Sequence, residues 1–313
     1  MSPRILDSGY LDVGHGHLVH WEMAGTPDAP AALVLHGGPG SGCRTAHYDL
    51  FDLDHYKVVL MDQRGCGRSR PLASETLDAL THNTTDDLLC DIVTLKQHLG
   101  VSDWLVFGGS WGSTLALLYA QLAPDHVRQL VLAGVATTAR RDLAWLYEDV
   151  GNLFPESFEA FHAMVPDAAD VWDRIAGYGD LLAHAEYAQN AADAWCAWEL
   201  AIFQQTFEGA GGGWAEAGYR LGFARIVTHY FRNFAWRSDG YIHDHMERIA
   251  HIPGVMIHSR FDSSCPLRAP WELAKHWPAA RLEVLGGNDH SALSEVMKLH
   301  IRTATDGFRM AGP

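Results

Sequence analysis

An α/β architecture with a parallel sheet, interrupted once by a helical insert, follows from three observations. Short apolar, β-branched runs alternate with helix-patterned segments between residues 31 and 135. Two more such runs return at 252–262 and 280–290. Between 138 and 245 no buried strand is visible, and Trp- and Ala-rich helical segments such as "AADAWCAWELAIFQQTF" (191–207) dominate. Parallel strands need long crossovers, and a crossover helix buries its apolar stripe on the sheet. The 313 residues therefore divide into an α/β core of 1–137 and 246–313 and an inserted helical cap at 138–245.

The elements follow in order. "YLDVGHGHLVHWEMA" (10–24) partly alternates around a central glycine and reads as a β-hairpin. "AALVLHGGPG" (31–40) is a buried strand entering a glycine-rich turn, and "YKVVLMDQRGCGRSR" (56–70) repeats that plan. "DDLLCDIVTLKQHLG" (86–100) carries apolar residues at helical spacing and ends at Gly100, a C-cap residue. "DWLVFGGS" is the next strand, and "GSTLALLYAQLAP" is a helix stopped before Pro124. "VRQLVLAGV" (127–135) is another buried strand. "IPGVMIHSRFD" (252–262) and "ARLEVLGGNDH" (280–290) supply the last two. "EGAGGGWAEAG" (208–218) is a loop and not a phosphate cradle, because no strand precedes it.

Bulk properties narrow the function. A hydrophobic fraction of 48% with 19% charged residues supports a sizeable core. A net charge of -15 disfavours a nucleic-acid partner or an anionic membrane, which need a basic face. No apolar run is long enough to span a bilayer, and "MSPRILDSGYLDVGHG" lacks the apolar stretch of a secretory signal. Cys43, Cys66, Cys90, Cys196 and Cys265 are odd in number and contain no CxxC pair. That pattern argues against a disulfide framework or a zinc site and for a reducing cytoplasm. No metal or cofactor is expected, and oligomeric state is not readable.

The chemistry centres on "LVFGGSWGSTLALLYAQ" (105–121). Gly-x-Ser-x-Gly between a strand and a helix is a nucleophile elbow, in which a tight turn lifts the Ser110 hydroxyl over a helix N-terminus. The Trp111 N–H then points toward a developing oxyanion. A serine hydroxyl needs a base, and the base needs an orienting acid. In this architecture the chain order is serine, acid, histidine, with the last two on turns after later strands. Asp262 in "VMIHSRFDSSCP" and His290 in "LEVLGGNDHSAL" occupy those places. His258 lies inside a strand, and His251 precedes one. His243 and His245 form an HxH pair that reads as a solvated helix face. Asp289 could orient the base but shares its turn. "LHGGPG" (35–40) brings backbone N–H groups close to a reacting carbonyl, with Gly37 or Gly38 as second donor. "DQRGCGRS" (62–69) lacks a GKS or GKT ending, so it reads as a buttress of that loop through Asp62 and Arg64.

"LHGGPG", "DQRGCGRS", "GGSWGS", "RFDSSCP" and "DHSA", in this order, resemble the proline iminopeptidases, which are α/β-hydrolase serine peptidases. The resemblance runs from the N-terminal hairpin to "RTATDGF" near the end. It implies an eight-stranded core with a helical cap, Ser110, Asp262 and His290 as triad, and Gly38 and Trp111 as oxyanion donors. It also implies a metal-free release of an N-terminal residue, preferably proline, from a small peptide or amide. Such an enzyme must read a charged amine, and in the family cap glutamates do so. One sits in a W-x-x-W-E stretch, here "WCAWE", which gives Glu199. The second belongs to a stretch like A-R-I-E-N-H-Y-F. Here it reads "ARIVTHYF" (224–231), with Val227 for the glutamate and Thr228 for the asparagine. "HSRFD" and "GNDHSALSE" also depart from HGRYD- and GAGHSAFEP-like text.

A charged hydrogen bond contributes about 1.5–3 kcal/mol, so one lost amine anchor lowers efficiency about ten- to more than a hundredfold. An apolar Val227 in the substrate pocket would favour an alternative, an amidase or esterase for small uncharged acyl groups. Glu208 and Glu216 are candidates to replace the missing carboxylate. A third possibility is a binding protein on a hydrolase scaffold, against which the intact serine, aspartate and histidine argue.

Overall fold

The computed structural model describes residues 3–310. Eight strands form one sheet: β1 (Ile5–Asp12), β2 (Leu18–Gly25), β3 (Ala31–Leu35), β4 (Lys57–Met61), β5 (Trp104–Gly109), β6 (Val127–Ala133), β7 (Gly254–Ser259) and β8 (Ala280–Leu285). Their spatial order is β1-β2-β4-β3-β5-β6-β7-β8. The β1–β2 hairpin and the β2–β4 pair are antiparallel, and every other pairing is parallel. The hairpin begins five residues earlier than its alternation suggests. Ile5, Asp7, Ser8 and Gly9 are held by register with β2 rather than by burial.

The central strands are buried on both faces, as parallel strands between helices must be. Successive residues supply opposite sides. Leu33, Leu35, Val106, Leu130 and Met256 join the core beneath α1 (Thr85–His98) and α2 (Trp111–Leu122). Val34, Leu105, Phe107, Val131 and Ile257 join a second core with Met297 and Ile301.

After β6 the chain runs through α3 (Arg140–Tyr147), α4 (Pro155–His162), α5 (Val171–Ala183), α6 (Ala188–Ile202), α7 (Ala217–Arg232) and α8 (Tyr241–Asp244) before returning at β7. Among the described residues this stretch contains no strand. Trp195 and Trp198 of α6, Tyr178 of α5, Phe161 of α4 and Tyr147 of α3 form one aromatic cluster, with ring centroids 4.7–6.3 Å apart. The chain closes with α9 (Arg268–Ala274) and α10 (Glu295–Met310), which carries Met297 and Ile301. Among the described residues no helix is long and apolar enough to cross a membrane.

Candidate active site

Ser110 stands between β5 and α2 with φ 54° and ψ −125°, a conformation that side-chain-bearing residues avoid. The surrounding glycines make this turn possible. A Cβ on Gly108 would lie 2.2 Å from the Gly112 carbonyl oxygen, and one on Gly112 would lie 2.1 Å from that of Leu35. The Ser110 N–H is anchored to the Ala133 carbonyl at 2.9 Å, and its carbonyl accepts the Ser113 hydroxyl at 2.6 Å. The serine is thereby fixed above the first turn of α2, where the helix dipole favours negative charge.

Asp262 and His290 arrive from the turns after β7 and β8. Asp262 Oδ2 accepts the His290 Nδ1–H at 2.7 Å. The other oxygen accepts the backbone N–H groups of Ser264 at 3.0 Å and Cys265 at 2.9 Å, so the carboxylate cannot swing away. His290 packs on the end of β6, because a Cβ on Gly134 would lie 3.1 Å from the His290 ring. Phe203 stacks on the imidazole, with centroids 5.1 Å apart. Burial pulls the His290 pKa down. The Asp262 charge and hydrogen bond, with the Glu199 charge, outweigh burial and lift it above its ordinary 6.5. Ser110 and His290 line the same cavity, without a hydrogen bond between them among the described residues.

His258 takes no part in this relay. Its Nδ1 accepts the Val135 N–H at 3.0 Å and its Nε2–H donates to the Cys265 carbonyl at 2.7 Å, which fixes a neutral tautomer. Burial lowers its pKa further. Among the described residues the Asp289 carboxylate makes no hydrogen bond or ion pair with His290; the Asp262 carboxylate holds it. His245 is bound to the Tyr241 carbonyl at 2.8 Å, and His243 lies 3.9 Å from Glu272.

Gly37 and Gly38 both line the cavity. A Cβ on Gly37 would come within 3.3 Å of Ser110 Cβ, so the loop passes close over the nucleophile. Among the described residues the N–H groups of Gly38 and Trp111 have no hydrogen-bond partner. Gln63 holds this loop, a role the sequence reading assigned to its neighbours Asp62 and Arg64. Its amide donates to the His36 carbonyl at 2.9 Å and accepts the Trp111 indole N–H at 2.9 Å. Its backbone N–H also caps His36 Nε2 at 3.0 Å. Asp62 secures the far end of the loop through the Cys43 N–H at 2.6 Å. Arg64 instead turns to α1, where Asp91 holds it at 2.6 and 2.7 Å. A glutamine at the carboxyl end of β4, beside β3, was the available signal for Gln63.

The cavity has a volume of about 480 Å3. Glu199 reaches it from α6. Its Oε1 accepts the Tyr147 hydroxyl at 2.6 Å and the Trp195 indole N–H at 3.1 Å. Its Oε2 has no partner among the described residues. Burial raises the Glu199 pKa, against the hydrogen bonds from Tyr147 and Trp195 and the His290 charge. The result is a carboxylate with one oxygen tied down and one free for a cationic ligand.

Val227 requires a correction. It was expected in the substrate pocket, but it is fully buried in the core and does not line the cavity. Phe223 and Phe231, one turn away on either side along the same face of α7, do reach the wall. The short valine side chain ends behind them. Glu208 and Glu216 are exposed and also lie off the cavity, so neither replaces the missing carboxylate there.

Comparison with known proteins completes the assignment. The family model described as the alpha/beta hydrolase fold matches residues 30–295. A proline iminopeptidase of Xylella fastidiosa is 40% identical, covering 96% of each chain. One from Neisseria gonorrhoeae is 40% identical over 89% of this chain and 88% of its own. One from Arabidopsis thaliana is 38% identical over 91% of this chain and 75% of its own. Two solved structures share the fold: a proline iminopeptidase of Mycobacterium smegmatis (19% identity, TM-score 0.65, covering 98% and 100% of the chains) and an esterase of a Rhodococcus species (20%, 0.63, 99% of each). Fold and site thus define an α/β hydrolase. The chain belongs to the proline iminopeptidase family of α/β hydrolases.

Proposed function

We propose that this chain is a serine hydrolase that releases an N-terminal residue, proline by preference, from small peptides and amides, with 138–245 as a helical cap over the core. The observation that carries the reading is the Glu199 carboxylate, which lines the cavity of Ser110 and keeps one oxygen without a protein partner among the described residues. A buried carboxylate is costly unless it meets a cation, and a substrate ammonium is such a cation. The relatives' names supply the preference for proline.

In this scheme Ser110 Oγ attacks the scissile carbonyl while His290 Nε2 accepts its proton. Asp262 holds the imidazole and stabilises the imidazolium that forms. The N–H groups of Gly38 and Trp111 receive the oxyanion. The tetrahedral intermediate collapses, and His290 returns its proton to the departing amine. Water, activated by the same imidazole, then cleaves the acyl-enzyme. Val227, being off the cavity, lends no apolar wall to an uncharged-acyl alternative.

The test compares prolyl-anilide, N-acetyl-prolyl-anilide and a short-chain aryl ester with one preparation. Turnover of prolyl-anilide that N-acetylation abolishes is the expected result. Turnover of the ester or the blocked anilide, with little on the free amine, would overturn the amine-reading function.

A further inference from the structure

We propose that Arg44 is a specificity-determining residue that binds the free C-terminal carboxylate of a short peptide whose amine sits on Glu199. This rests on the aminopeptidase reading above and narrows its substrate class to short zwitterionic peptides.

Arg44 follows the glycine-rich loop after β3 and lines the same cavity as Ser110, Glu199 and His290. It is the single arginine or lysine on that wall among the described residues. Most arginines in this acidic chain are paired: Arg64 with Asp91, Arg68 with Asp62 and Glu22, and Arg220 with Asp193. The Arg44 guanidinium has no carboxylate partner among the described residues. It does not pair with Glu199 either, so both charges stay open to a ligand.

The Arg44 side chain is held by shape. Its guanidinium lies against Gly212 of the loop before α7, where a Cβ would come within 2.5 Å of Nη1 and 2.9 Å of Cζ. The two charges keep different company. Glu199 is tied to Tyr147 and Trp195 and feels the His290 charge. Arg44 instead shares the wall with Ser41 and Tyr219, and its charge acts on the Tyr219 hydroxyl. With the amine on Glu199 and the scissile carbonyl at Ser110, the leaving group extends along the remaining wall. A planar guanidinium is suited to a carboxylate, which it can hold through two N–H groups. An extended residue spans about 3.5 Å, so each residue added to the leaving group carries its terminal carboxylate that much further along the wall, and only a short peptide keeps it inside the cavity.

The experiment measures kcat and KM for prolyl-alanine, prolyl-alaninamide and prolyl-anilide with the wild type and Arg44→Gln. The wild type is expected to prefer the acid over the amide by about tenfold in kcat/KM, through KM, the lower end for a solvated charged hydrogen bond. That preference shrinks as salt is raised. In Arg44→Gln the ratio falls to about one. Equal use of acid and amide by the wild type overturns the inference whether or not the variant folds. So does a folded variant that keeps the preference. Absence of turnover on all three substrates by the wild type overturns the aminopeptidase reading itself, and this inference with it.

Discussion

On the sheet side of the cavity, Ser110 is placed by its backbone hydrogen bonds, and at Gly112 and Gly134 one added carbon would strike a carbonyl or an imidazole. On the helical side, Glu199 is placed by two other side chains, Tyr147 and Trp195. In the proposed reaction the first wall places the chemistry, and the second selects what is brought to it. A backbone-defined wall accepts almost no substitution. A side-chain-defined wall depends on contacts that single substitutions can change without altering the fold, such as those Tyr147 and Trp195 make to Glu199.

Four changes would break or sharpen this contrast. Ser110→Ala removes the nucleophile and should lower kcat by about 10⁴-fold or more without unfolding the protein, as checked by circular dichroism. A variant that kept wild-type turnover would end the proposed mechanism. Gly112→Ala drives a methyl to within 2.1 Å of the Leu35 carbonyl. It should cost at least about 3 kcal/mol in urea unfolding. A wild-type midpoint would mean that the sheet side is as yielding as the helical side.

Glu199→Gln keeps the size and loses the charge. Prolyl-anilide kcat/KM should fall about ten- to a hundredfold, with ester turnover much less affected. The same variant has a pH signature. His290 must be neutral to accept a proton, so kcat/KM rises with pH through its pKa, which lies above the ordinary 6.5. Glu199 is one cause of that elevation, so its neutralisation should move the acidic limb to lower pH. A stationary limb would deny the coupling. Gln63→Ala should lower kcat about tenfold at unchanged KM, because the Gly38–Trp111 donor pair loses its brace. Lower thermal stability with unchanged kcat would make Gln63 merely structural.

Much of this molecule was legible before its structure, for physical reasons. Buried parallel strands are continuous apolar runs, and β3 to β7 announce themselves so; the β1–β2 hairpin shows only partial alternation, and the solvent-facing start of β1 at Ile5–Gly9 carries no such signal. The places of Ser110, Asp262 and His290 were legible because an elbow and two strand ends are local backbone features. Gln63, Tyr147 and Phe203 were not, because their roles arise from contacts across 48, 52 and 87 residues of sequence. Val227 misled because helical spacing tells which face a residue occupies but not how deep its side chain reaches. The motif match for Glu199 carried no hint that Tyr147 and Trp195 would occupy one of its oxygens.

The long excursion between β6 and β7 has a consequence for synthesis on the ribosome. β6 ends at Ala133 and its parallel neighbour begins at Gly254, about 120 residues later. At about 5–20 residues per second, the nascent half-sheet waits roughly 6–24 seconds with an apolar strand edge unpaired. An open, buried-type edge is a template for another chain. The helices emerging in that interval are the first apolar material of the same chain able to shield it. The insert that lines the cavity in the finished protein thus also stands guard over the half-made one.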